Sequence, residues 1–166
     1  LGLAADLAEQ AASIAARIGD ALAFQGTYAV EMFLDADGRL LVNEIAPRVH
    51  NTGHATLQPG LTSQFDMHAR AVLGQPVPTP PLAGFQVMRN LIAPHGLAGE
   101  LPCEAPSLDV PEGVTLHWYG KQLARGGRKM GHMAAQAATR DEAERLLAAM
   151  TDVERTWQEA LLAVEA

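Results

Sequence analysis

Several things that usually declare a protein's partners or compartment are scarce in this sequence. It holds one cysteine, Cys103, so no internal disulfide can form, and a reduced, cytoplasmic setting is the simple reading. It has no basic run: 12 Lys and Arg stand against 19 Asp and Glu, a formal net charge of −7. A general nucleic-acid binder would show a basic face, so that class is disfavoured. No apolar stretch approaches the roughly 20 residues that span a bilayer, and the start lacks the basic-then-apolar pattern of a signal peptide. An initiator Met is missing too. The chain opens on Leu1-Gly2-Leu3 and runs straight into helical patterning, which reads as a chain cut from something longer.

What is present is enough to fold. Of 166 residues, 48% are hydrophobic, which suits a buried core and one domain or one and a half. Leu7, Ile14, Ile18 and Leu22 recur at helical spacing, which predicts an amphipathic helix over 3–24 with Gly26 beyond its end. Tyr28, Val30, Met32 and Leu34 alternate along a strand, Asp35–Gly38 forms a turn, and 39–45 reads as a second strand of a β-hairpin. The stretch 46–60 has prolines, histidines and glycines without periodicity and reads as a polar loop. A helix over 61–73 follows, capped by Thr62 or Ser63, striped by Phe65, Ala69 and Val72, and stopped by Gly74.

Pro76-Val77-Pro78-Thr79-Pro80-Pro81 is a stiff, extended segment. It suggests a first domain over 1–75, a linker over 76–84 and a small β-rich domain over 85–166. Strand-like runs lie at 86–92, 114–119 and 131–139. Two capping-box patterns, Thr139 with Glu142 and Thr151 with Glu154, predict two closing helices. The fold class expected is α+β.

Two acids, Glu31 and Glu44, interrupt the apolar hairpin strands. A four-residue turn pairs Leu34 with Arg39, which sets Ala29 opposite Glu44 and Glu31 opposite Val42. Both carboxylates then share a face as diagonal neighbours, roughly 7–8 Å apart at the backbone. Asn43 alternates to the other face. Like charges so placed suit Mg²⁺, which is held by one or two carboxylates plus substrate phosphates; a solvated strand face is the plain alternative. The loop Arg48-Val49-His50-Asn51-Thr52-Gly53-His54 follows directly. Arg48 offers a planar fork of donors for carboxylate, bicarbonate or phosphate. His50 and Asn51 can orient or protonate a small anion. His50 and His54, four apart, also permit a zinc reading, but Pro47 and Gly53 argue against the helix it needs and the Glu of HEXXH is missing.

The run GTYAVEMFL–DADG–RLLVNEIAPRVHNTGH with TSQFDMHARAVLGQPVP resembles the end of the ATP-grasp domain in the 5-(carboxyamino)imidazole ribonucleotide synthase family. HWYGK and GRKMGH resemble that family's C-terminal domain, so the likeness runs from about Gly26 to His132. A Glu…Asn-Glu pair alone is common to ATP-grasp enzymes, whereas PRVHNTGH with HWYGK is far more specific. The resemblance implies a ligase that joins bicarbonate to 5-aminoimidazole ribonucleotide at the expense of ATP. It implies Glu31 and Glu44 as Mg²⁺ ligands, and Asn43 with Glu44 in the ATP site. Arg48, His50 and Asn51 would act on the bicarbonate-derived carbon, and Lys121 and Arg128 would clamp the ribonucleotide phosphate. It further implies a homodimer acting on small molecules, with no membrane or nucleic-acid partner.

The region that would clamp the nucleotide, with its lysines and glycine-rich loop, is not in this sequence, so the chain alone is expected to be inactive. Two rivals stand beside this reading. One is the formate-dependent glycinamide ribonucleotide transformylase, a sister ATP-grasp enzyme with a similar hairpin but an acid where Asn51 stands and no His at position 54. The other is a non-catalytic binding or dimerisation module.

Overall fold

The computed structural model describes residues 4–81 and 83–165. It divides into two compact units, one up to Pro80 and one from Pro81 onward. The first contains α1 (Ala5–Leu22), β1 (Ala29–Leu34), β2 (Leu40–Ala46), a 3₁₀ helix at Asn51–Thr56 and α2 (Gln64–Val72). The second contains β3 (Phe85–Ile92), β4 (Leu101–Pro102), β5 (Thr115–Trp118), β6 (Leu123–Ala124), β7 (Lys129–Ala137) and α3 (Arg140–Glu165). Antiparallel sheets with separate helices give the expected α+β class.

In the first unit α1 stops short of Gly26. Ala23 takes the left-handed conformation at φ 49°, and the N–H groups of Ala23 and Phe24 reach back to the carbonyls of Asp20 and Gly19. Tyr28 crosses α1 at Gly19, where a side chain would collide with its ring and hydroxyl. That hydroxyl donates to the Ala15 carbonyl at 3.0 Å and ties the helix to the hairpin.

The hairpin register differs from the expected one by two one-residue shifts that add. The Asp35 carboxylate accepts from the backbone N–H of Asp37 (3.0 Å) and of Arg39 (2.8 Å), drawing Arg39 into the turn. Leu34 therefore pairs with Leu40 rather than Arg39. A β-bulge between Glu31 and Met32 then absorbs Asn43 as an extra residue. Glu31 comes to lie directly opposite Glu44 instead of Val42, and Ala29 opposite Ala46.

The polar loop is not free of helix. His50 caps the 3₁₀ turn, its ring accepting from the Thr52 N–H at 3.4 Å, and the Gly53 N–H donates to the His50 carbonyl at 3.0 Å. Ser63 caps α2 by accepting from the Asp66 N–H at 3.1 Å, and Gly74, at φ +67°, follows its last turn. The expected apolar stripe of α2 does not face inward: Phe65 and Val72 are exposed. The face that packs holds Gln64 and His68, whose polar atoms bond the chain around Thr27 and His50.

The second unit builds a three-stranded sheet in the order β3-β7-β5, with β4 and β6 paired separately. Its core gathers Leu91, Met130, Met133, Met150, Trp157 and Leu161. Instead of two closing helices there is one. The capping box at Thr139 forms, the Glu142 N–H donating to the Thr139 hydroxyl (3.2 Å) and the Glu142 carboxylate accepting from the Ala138 N–H (2.8 Å). The one at Thr151 does not, because Leu146, Met150, Val153, Trp157 and Leu161 form an unbroken inward stripe through it. The Thr151 hydroxyl donates to Leu147 within the helix (2.7 Å), and buried Glu154 pairs with Arg89 (2.5 Å) and accepts from the Ile92 N–H (3.1 Å). On the opposite face of the sheet, Asn90, His132 and His117 line up across the three strands.

Candidate functional site

The bulge makes the site. In a regular strand Asn43 and Glu44 would point to opposite faces, as the sequence suggested. With both set against Glu31, the Asn43 amide reaches the Glu31 carboxylate instead, Nδ2 to Oε2 at 3.4 Å. Glu31 also faces His50, Nε2 to Oε1 at 3.3 Å. Glu44 stands directly opposite Glu31, exposed, and its carboxylate makes no hydrogen bond or ion pair among the described residues. Two exposed carboxylates, an amide and an imidazole thus converge on one patch of the first unit. Among the described residues no group of three or more His, Cys, Asp or Glu forms a closed metal cage. A two-carboxylate patch is instead what a cation shared with nucleotide phosphates requires.

Arg48 is not drawn into this patch. Its guanidinium donates to the adjacent Val49 carbonyl at 3.0 Å and is exposed. Asn51 opens the 3₁₀ helix one residue beyond His50. What holds this loop is a residue that sequence reasoning passed over. Gln64 is 1% exposed, and its amide bonds both backbone groups of His50. Nothing in a glutamine behind a Ser cap signals that role; only the fold brings it to the loop.

In the second unit the expected phosphate clamp is a cationic turn. The Lys121 ammonium donates to the Lys129 carbonyl at 2.5 Å and lies 5.5 Å from the centre of the Tyr119 ring. The Arg128 guanidinium donates to the Leu123 carbonyl at 3.0 Å. Lys121, Arg125, Arg128 and Lys129 form no ion pair among the described residues. Partial burial, then the charges of Arg128, Arg125 and Lys129, push the Lys121 pKa down. A bound anion would relieve that repulsion. Gly127, at φ +75°, turns the chain here, and a side chain on it would collide with the His95 ring. Beside the turn, the Tyr119 hydroxyl lies 2.9 Å from the Nδ1 of buried His132, which stacks on His117 at 4.6 Å between ring centres.

Comparison with known proteins identifies the two segments. Residues 2–65 match the ATP-grasp domain, and residues 86–146 match the phosphoribosylaminoimidazole carboxylase C-terminal domain. The chain joins ATP-grasp sequence to a phosphoribosylaminoimidazole carboxylase C-terminal domain. It is 42% identical over 148 residues to the N5-carboxyaminoimidazole ribonucleotide synthase of Vibrio vulnificus, an alignment covering 89% of this chain and 37% of that protein. The solved N5-carboxyaminoimidazole ribonucleotide synthetase of Thermotoga maritima superposes with a TM-score of 0.76 at 34% identity, over 92% of this chain and 42% of that one. The Aspergillus clavatus N5-carboxyaminoimidazole synthase, solved with ADP and 5-aminoimidazole ribonucleotide, gives 0.75 at 32%, over 94% and 42%. This ATP-grasp chain therefore spans well under half the length of the relatives it matches. Among its described residues no helix is long and apolar enough to cross a membrane.

Proposed function

We propose that this chain supplies the carboxylate and bicarbonate-handling half of a ligase that forms 5-(carboxyamino)imidazole ribonucleotide from ATP, bicarbonate and 5-aminoimidazole ribonucleotide. The observation that carries the reading is the hairpin bulge, which sets Glu31 against Glu44 and turns Asn43 onto the same patch beside His50. Residues 1–75 act as the end of the ATP-grasp domain, 76–84 as the linker and 85–166 as the small C-terminal domain. The intact enzyme works on small molecules in the cytoplasm as a homodimer.

Each residue has a task that fits its surroundings. Glu31 and Glu44 hold Mg²⁺, and Asn43 and Glu44 contact the ATP phosphates. The cation, when bound with those phosphates, neutralises charge on the phosphoryl oxygens. His50 and Asn51 orient the attacking bicarbonate and then the carboxyphosphate it becomes. Arg48, uncommitted to any carboxylate here, is available to pair with that anion. Carboxyphosphate is labile in water, so the site must close around it, and the remainder of the enzyme provides that closure. Lys121 and Arg128 grip the ribonucleotide phosphate from the unpaired cationic turn.

The reading is tested by ADP release from a full-length protein carrying this chain. Turnover should require both bicarbonate and 5-aminoimidazole ribonucleotide, and Glu44→Gln should lower kcat by roughly 10²–10³-fold. Equal turnover with formate and glycinamide ribonucleotide would instead support the sister transformylase, which the relatives' identities do not favour. The 166-residue chain alone should be inactive, and robust turnover by it would contradict the half-site description.

A further inference from the structure

Gln64 begins α2 with its side chain almost completely buried against the loop that carries His50 and Asn51. The amide Oε1 accepts from the His50 N–H at 2.9 Å, and Nε2 donates to the His50 carbonyl at 2.8 Å. Because a backbone N–H can only donate and a carbonyl can only accept, these two bonds fix which way the amide is turned. One hydrogen of Nε2 remains, and it faces His54 Nδ1 at 3.1 Å. The His54 Nδ1 must then accept, so the neutral ring carries its proton on Nε2.

The glutamine is itself held at its main chain. Its N–H donates to the Thr56 hydroxyl at 2.7 Å, which donates onward to the Gly53 carbonyl at 2.6 Å, and its carbonyl accepts from the Thr27 hydroxyl at 3.2 Å. Gly53 leaves the space the amide fills, since a side chain there would overlap the Gln64 amide oxygen. With the His50 backbone gripped and its Nδ1 set against the Thr52 hydroxyl at 3.1 Å, the His50 Nε2 is left to face Glu31.

We infer that Gln64 is a positioning residue of the site: its one side-chain amide sets the backbone of His50 and the tautomer of His54, and so aims the loop that presents His50 and Asn51. The purpose of that aim rests on the proposed carboxylation chemistry, but the tautomer does not. Leu or Met at position 64 would fill the volume and leave both His50 backbone groups unmet. Glu at position 64 would keep the shape while replacing the Nε2 donor by an acceptor, so His54 would have to place a proton on Nδ1.

Ring ¹⁵N shifts of His54 in the 166-residue chain read this directly. The wild-type chain is expected to show a bare Nδ1 and protonated Nε2, and Gln64→Glu should move a proton onto Nδ1. A neutral wild-type His54 protonated on Nδ1 overturns the inference even if the variant fails to fold, as does a folded Gln64→Glu chain with an unchanged His54. In a full-length protein carrying this chain, Gln64→Glu should lower kcat by about 10²-fold, the scale of a small misplacement of reacting groups, with KM for ATP little changed. An unaltered kcat overturns the positioning role and leaves the proposed activity standing. Wild-type turnover that ignores 5-aminoimidazole ribonucleotide defeats the proposed activity and leaves the tautomer result standing.

Discussion

The two units of this chain are held together by different materials. In the second, described side chains with almost no exposure are mostly apolar: Leu91, Met130, Met133, Met150 and Trp157 pack between the sheet and α3. In the first, the buried side chains are small or polar: Ala46, Thr56, Gln58 and Gln64. Several of its large apolar groups are exposed, Phe33 by 59% and Leu41 by 49%, in a chain that spans well under half the length of its relatives, while Ile14, Ile18 and Tyr28 are half-buried. The second unit draws its stability from burial, which is strong and indifferent to direction. In the first, the loop that carries His50 is held by hydrogen bonds, which contribute little net stability but fix directions. A site that must hold two carboxylates and an imidazole in register benefits from the second kind of material.

That contrast can be broken most severely at Leu91, which is fully buried. Leu91→Ala should cost about 2–5 kcal/mol by urea unfolding of the second unit. Amide exchange at His50 and Gln64 should stay as in the wild type; loss of protection in both units would mean that they share one stability. Gly53→Ala probes the other material. Its Cβ would expel the Gln64 amide, costing about 1–3 kcal/mol as overpacking does, with exchange speeding up over the loop and α2 while α3 is unmoved. Normal protection at the His50 N–H in that variant would remove Gln64 from the account.

A milder lever is pH. Burial pushes the His117 pKa below its ordinary value of 6.5. Between the two values the unfolded chain binds more protons, so stability declines as pH falls through 6.5 and levels off below the folded value. Thermal melts of the second unit should show that decline, and His117→Gln should flatten it. A decline of the same size in His117→Gln would place the titrating group elsewhere.

How much of this was legible beforehand follows the same division. The strands at 86–92 and 114–119, the cap at Ser63 and the box at Thr139 are local signals, and the fold keeps them. The box at Thr151 is equally local and was overridden, because continuous burial along α3 outweighs one cap. Glu31 and Glu44 were visible as acids on apolar strands. Their direct opposition was not, because it depends on the Asp35 side chain enlarging the turn and on a bulge adding a second one-residue shift. Gln64 was invisible for a related reason: α2 carries an apolar stripe at Phe65, Ala69 and Val72, and nothing in its periodicity says that the polar face packs inward.

The proposed metal and nucleotide roles depend on the bulge making Glu31, Asn43 and Glu44 one divalent-cation patch. Titrating Mn²⁺, a paramagnetic stand-in for Mg²⁺, into the 166-residue chain with ADP present and mapping the line broadening of its amides tests this most directly. Broadening should centre on Glu31, Asn43 and Glu44, spread to His50, and disappear in Glu31→Gln with Glu44→Gln. Broadening centred elsewhere, or unchanged in that double variant, would contradict the account.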